Sequence, residues 1–252
     1  MSRYFKKTAL ILPDIHVPFQ HKKIIKNIIS LIRSTNPTKI VLLGDFLDCY
    51  SISRFDKQPH RAEDFHYELT CDQEILEKFH SASPETEIEF IEGNHCARLQ
   101  KMLDSNMRAF RNLPNFDIEN LLSLDKYNAT YHKKHYFLNS NFICTHGFHC
   151  NVRGAAKELD KYGVNGISGH RHRLDYAYKG HAITNKEKEW FSIGTLADIS
   201  QLTYAENFNH DWSNSFAIVE YNRSNYDVTV ISCDKKTGSF YNPIEGKYYG
   251  KI

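Results

Sequence analysis

Apolar residues along this chain fall into short runs that stop abruptly at polar clusters. Thr8 to Leu12 is a run of strand length ending at Pro13, and Lys39 to Leu43 and Glu87 to Ile91 are two more. Runs of four to eight apolar residues bounded by turn residues predict strands buried on both faces. Between the first two, Ile24, Ile25, Ile28, Ile29 and Ile32 recur at helical spacing, predicting a helix over residues 22 to 33 that Asn36-Pro37 terminates. Strand, helix, strand in this order predicts a parallel pair with a right-handed crossover.

Further along, residues 66 to 80 carry an amphipathic helical pattern. Residues 97 to 127 read as mostly helical, as a cap or lateral insertion. Strands are predicted at 130 to 138, 141 to 145 and 164 to 168, with a helix over 154 to 162 whose C-terminus is marked by Gly163. The last third alternates in the β manner over 176 to 184, 190 to 193, 215 to 221 and 227 to 232. The stretch from Lys235 onward is rich in Gly, Lys and Tyr and reads as a loosely packed tail. Residues 49 to 65 show no periodicity; a connection of this length suggests an active-site loop. No internal repeat or linker divides the 252 residues, so the expectation is one domain spanning 1–252.

The polar clusters at the ends of the runs carry the chemistry. They are Asp14-Ile15-His16, Gly44-Asp45-Phe46-Leu47-Asp48, Gly93-Asn94-His95, Thr145-His146-Gly147 and Gly169-His170-Arg171-His172. In open α/β sheets functional groups gather at the carboxyl ends of strands. Five such ends opening on Asp, Asn or His point to one converging site. Imidazole with carboxylate and amide oxygen suits transition metals better than calcium. Asp14, His16 and His172 would hold one ion and Asn94, His146 and His170 a second, with Asp45 bridging. Two ions about 3.5 to 4 Å apart can share a water, lower its pKa and clamp an in-line displacement at phosphorus. His95 would then protonate the leaving oxygen as a general acid, and Asp48 would orient His95 or a ligand histidine. The four ligand histidines must be neutral to bind metal, so affinity should fall as pH drops through about 6 to 7.

Bulk properties narrow the rest. Hydrophobic content of 41% and charged content of 25% are those of an ordinary globular protein. Lys and Arg number 32 against 30 Asp and Glu, a formal charge of +2, so any nucleic-acid contact must come from a local patch. Six cysteines lack CxxC spacing, the N-terminal apolar run is too short for a secretory leader, and no stretch approaches the ~18 apolar residues of a membrane span. These features predict a cytoplasmic protein with reduced thiols and no membrane association; assembly into homo-oligomers stays open.

With its five motifs in this order, the chain resembles the calcineurin-like metallophosphoesterase superfamily, whose signature reads DxH, GDxxD, GNH, H and GHxH, and most of all its compact phage and bacterial members. The match runs from Asp14 to His172, with Ser192-Ile193-Gly194-Thr195 as the turn that closes the family's sheet. The resemblance implies an α/β fold, a four-layer α-β-β-α sandwich of two mixed sheets, and the ligand roles given above. It also implies two divalent ions, Mn(2+) first, with Fe, Zn, Ni or Mg as alternatives.

The implied activity is hydrolysis of a phosphate ester by a metal-bound hydroxide, acting on a nucleotide, another phosphorylated small molecule or a nucleic-acid end. An endo- or exonuclease-type phosphodiesterase is the alternative, and a non-catalytic metal-binding scaffold ranks below both. Cys96 replaces the acidic residue usual after GNH, and Cys49-Tyr50 replace the Arg-Gly of protein phosphatases, which argues against a Ser/Thr protein phosphatase. Arg54, Arg98 and Arg171 are candidates for gripping phosphate oxygens, each weighed against an ordinary salt bridge or solvated side chain. His132, His135 and His149 lie near the motifs without their spacing and are left out of the site.

Overall fold

The computed structural model describes residues 7–54, 64–111, 113–150, 153–181, 186–202 and 211–250. Its strands are β1 (Lys7–Leu12), β2 (Lys39–Leu42), β3 (Glu87–Ile91), β4 (Ala129–His132), β5 (His135–Asn139), β6 (Phe142–Thr145), β7 (Asn165–Ser168), β8 (Asp175–His181), β9 (Lys186–Ser192), β10 (Ser215–Tyr221), β11 (Tyr226–Ser232), β12 (Phe240–Asn242) and β13 (Lys247–Tyr249). The helices are α1 (Lys22–Thr35), α2 (Phe65–Ala82), α3 (Arg98–Asn106), α4 (Ile118–Leu121) and α5 (Gly154–Tyr162).

Six strands form one mixed sheet in the order β11-β10-β1-β2-β3-β4, and five form a second in the order β5-β6-β7-β9-β8. In the first, β1 to β4 are parallel and β10 runs antiparallel to β1. In the second, β6, β7 and β9 are parallel. Strand alternation assigns each side chain to a layer. Ala9, Ile11, Val41 and Leu43 face Phe142, Cys144 and Ile167 in the core between the sheets. Leu10, Leu12, Ile40 and Leu42 face the other way and pack under Ile24, Ile28 and Ile32 of α1 and Ile75, Leu76 and Phe79 of α2. On the far side, Ala155 and Leu159 of α5 pack on Ile143 and Trp190 of the second sheet. The layers are therefore helix, sheet, sheet, helix.

Three expectations change. The run 130 to 138 is two strands, not one: β4 closes the first sheet and β5 opens the second, with Lys133-Lys134 making the passage between them. The segment 97 to 127 is mostly helical as expected, in α3, α4 and short 3-10 turns, but it is the crossover from β3 to β4. Its Leu99, Leu103, Ile118, Leu122 and Tyr127 are built into the main core. The C-terminal tail is a packed hairpin of β12 and β13, whose Phe240 and Tyr249 are buried and stacked. Of the predicted loop at 49 to 65, residues 55–63 lie outside the described residues.

Candidate metal centre

Because β1, β2, β3, β6 and β7 are all parallel within their sheets and the sheets pack face to face, their carboxyl ends open at one edge of the sandwich. All seven predicted ligands meet there. Asp14, His16 and His172 form one cluster and Asp45, His146 and His170 a second; within each, the ligating atoms lie within 4.8 Å of one another. Asn94 joins the second, its Oδ1 2.9 Å from His146 Nε2.

Five of these residues hold a backbone that L-amino acids rarely adopt: Asp14 (φ 45°), His16 (51°), Asp45 (41°), His170 (66°) and His172 (57°). Left-handed conformations of this kind cluster at functional sites because they cost energy that surrounding structure must offset. Here they turn both ends of Asp-x-His and His-x-His toward one point. Two glycines are demanded by close approach. A Cβ on Gly93 would strike the Asp45 carboxylate, and one on Gly169 the Asp14 carboxylate.

Hydrogen bonds fix which ring nitrogen faces inward. His146 donates from Nδ1 to the carbonyl of Leu43 (3.1 Å), which leaves Nε2 aimed at the centre. Around that Nε2 stand Asn94 Oδ1 at 2.9 Å, His170 Nδ1 at 3.1 Å and Asp45 Oδ2 at 3.2 Å. His16 donates from Nδ1 to Asp48 Oδ1 (3.0 Å), so its Nε2 faces His172 Nε2 at 3.2 Å, with Asp14 Oδ1 3.4 Å from the latter. Lone pairs thus converge at two points, and only a cation or a proton can sit among them. Asp45 and Asp14 are held in turn by backbone N–H groups of His95 (2.7 Å) and His170 (2.9 Å). The donor set fits two divalent ions of the borderline kind.

Without an ion, protons serve the same electrostatic end. Burial disfavours charge on His146, but Asp45 beside it and Asp14 nearby outweigh burial and raise its pKa to about 9. His170 is pushed down to about 4 by burial and by the charge on His146; His172 is lowered chiefly by burial. Burial opposes charge on His16 too, yet the Asp48 hydrogen bond and charge raise it. Asp45, despite burial, is held well below the carboxylate range by His146 and His95.

Asp48 serves two histidines. Its Oδ1 accepts from His16 Nδ1 and, at 2.6 Å, from His95 Nδ1. His95 Nε2 then points toward the centre, 4.0 Å from Asp45 Oδ2. Arg98 spans this pair, donating from Nη1 to the Asp48 carbonyl (2.8 Å) and from Nη2 to His95 Nε2 (2.9 Å). Arg171 is buried and donates to Asp175 (2.7 Å) while lining the cleft over the centre. Arg54 stands apart, exposed, in a neighbouring cleft. His132, outside the motifs, pairs with Glu89 at 2.7 Å away from the centre.

Sequence reasoning did not single out Cys150, Arg173 or Trp212, which also line the main cleft, a cavity of about 430 Å³. Cys150 Sγ lies 3.0 Å from His170 Nε2, and the Trp212 ring meets His172 edge-on at 4.2 Å. Arg173 immediately follows the last motif and could have been noticed on that ground. Trp212 sits in an aperiodic polar stretch that marks nothing.

Comparison with known proteins agrees with this geometry. The family model described as calcineurin-like phosphoesterase matches residues 7–233. The Gene 54 proteins of Mycobacterium phages L5 and D29 are each 26% identical to this chain, over 84% of it and 88% of their own length. Among solved structures, Vacuolar Protein Sorting 29 from Cryptosporidium parvum superposes with a TM-score of 0.50 at 14% identity, over 98% of this chain and 96% of that one, which shows the shared fold. With the family model spanning both sheets and every motif, the chain belongs to the calcineurin-like phosphoesterase family.

Proposed function

We propose that this protein hydrolyses a phosphate ester at a two-metal centre, Asp14, His16 and His172 holding one ion, Asn94, His146 and His170 the other, and Asp45 shared. The observation that carries this is the convergence of acceptor atoms on His146 Nε2 and His172 Nε2 in a cleft open to substrate. Divalent ions bound there, manganese first among the candidates, supply Lewis acidity toward a phosphoryl oxygen and toward water. The protein's own groups do the rest. Asp48 accepts from His95 Nδ1 and so fixes the ring with Nε2 toward the reacting phosphorus. From Nε2 a proton reaches the leaving oxygen. An arginine only donates, so Arg98 must yield its bond to His95 Nε2 when the proton is in place. Six free cysteines in the described structure support a reducing compartment, which we infer to be the cytoplasm.

The test compares two leaving groups. p-Nitrophenolate departs without a proton, whereas phenolate needs one more strongly. After metal is stripped and manganese restored, His95→Ala should lower kcat for phenyl phosphate by about 10²–10⁴ and for p-nitrophenyl phosphate by much less. Asp45→Asn should abolish both, and bis-p-nitrophenyl phosphate run alongside reports diester preference. Hydrolysis unchanged in both variants would sink the proposal.

A further inference from the structure

A second cleft, of about 310 Å³, meets the main one at Asn94 and runs away from the centre along α3. Arg54, Arg98 and Lys101 line it with Asn106, and Ile52 and Met102 supply apolar wall; no carboxylate is among the described residues that line it. From this we infer that the cleft holds the phosphate next to the scissile one on the leaving-group side, and that the substrate is a single polynucleotide strand cut at an internal phosphodiester. The inference rests on the reaction proposed above.

Direction comes from the helix. His95 precedes α3, and its Nε2, which the proposed reaction turns to the leaving oxygen, lies 2.9 Å from Nη2 of Arg98 on the wall of this cleft. Arg98 and Lys101 are three residues apart, so they share a face of α3 and lead outward from His95. Whatever hangs on the leaving oxygen enters this cleft. A leaving nucleoside alone would need the apolar wall but not three cations. A strand needs both, phosphate on the guanidinium and ammonium groups and the base against Ile52 and Met102.

Among the described residues neither Arg54 nor Lys101 pairs with a carboxylate, whereas Arg111, off the cleft, pairs with Asp104. The net charge is only +2, so the attraction for an anion here comes from this cleft's own three cations, which no lining carboxylate among the described residues offsets. On the other side of the centre the main cleft continues to Arg173 and Trp212, leaving room for the strand upstream. In the reaction, water's oxygen bonds to phosphorus and the bond from phosphorus to the leaving sugar oxygen breaks. His95 supplies that oxygen's proton and one water proton goes to solvent.

The experiment uses metal-loaded protein, hexathymidylate, thymidine 5′-(p-nitrophenyl phosphate) and bis-p-nitrophenyl phosphate, with the pair Arg54→Gln/Lys101→Gln. The variant should lower the ratio of kcat/KM for hexathymidylate to that for bis-p-nitrophenyl phosphate at least tenfold. It should also flatten the dependence of log kcat/KM on log salt by roughly 1.4, two contacts at about 0.7 each on a single strand. Parallel loss on all three substrates, or wild-type preference for the thymidine ester over hexathymidylate, overturns the inference. Binding separates failure of the cleft from failure of the chemistry. Fluorescein-labelled hexathymidylate should bind metal-loaded His95→Ala at least tenfold more tightly than His95→Ala carrying both cleft substitutions, whether or not the wild type cleaves it. Equal binding overturns the cleft.

Discussion

At the residue scale, His146 decides how the centre meets pH. A proton raises no conflict in the metal-free molecule because Asp45 and Asn94 already face Nε2, and the pKa of about 9 follows. Metal must displace that proton. Calorimetric titration of manganese into chelated protein at pH 7.5, in buffers of different ionisation enthalpy, should show release of at least one proton, the His146 share fading above pH 9. Heats independent of buffer would contradict it. The uniform window near pH 6 to 7 expected from unperturbed histidines therefore splits, His170 being neutral down to about pH 4 while His146 competes far higher. The stability sign follows. A raised histidine pKa stabilises the metal-free fold fully below about 6.5, and that contribution is lost as pH rises through about 9. Asp48, lowered by His95 and His16 against the effect of burial, contributes above the ordinary carboxylate range and loses its contribution in acid.

Elements were legible where one period dominated and a turn residue closed it. Helix α1 and strand β3 appear where the isoleucine spacing and the apolar run place them, and Gly163 ends α5 in the left-handed conformation (φ 63°). The motifs, too, could be read because each ends such a run. What could not be read was which sheet a strand joins. Residues 130 to 138 keep strand character throughout, and only Lys133-Lys134 mark the change of sheet. The three-residue strands β12 and β13 are too short to show a period. Nor does helical periodicity reveal that Asp72, on the buried face of α2, leaves both carboxylate oxygens without a hydrogen bond. Burial, then the nearby charge of Glu68, drives its pKa well up. An acid raised in the fold loses stability as pH climbs above the ordinary carboxylate value. Asp72→Asn should therefore stabilise the protein at pH 7 by about 1–3 kcal/mol and have little effect near pH 4. A thermal melt showing destabilisation at pH 7 would mean Asp72 has a charged role.

For the whole molecule, the centre is a joint between the two sheets. Each proposed ion draws on both, Asp14 and His16 following β1 with His172 following β7, and Asp45 and Asn94 following β2 and β3 with His146 and His170 following β6 and β7. Between the sheets the packing is chiefly apolar, non-directional and tolerant of small slides, with directional ties such as Tyr226 Oη to Glu189 (2.9 Å) and Asn139 to the Asn222 carbonyl (3.2 Å). Directional bonds at the strand ends would fix what packing leaves soft. An ion at 100 times its Kd adds about 2.7 kcal/mol, and each kcal/mol shifts Tm by about 2–4 °C in a chain of this size. Chelation should then lower Tm by roughly 5–10 °C per site, with amide exchange rising first at residues 43–46 and 167–170, where the sheets face each other across the centre. If Tm holds in chelator, or exchange rises evenly through both sheets, the ligands converge without joining them and the centre is preformed by the fold itself.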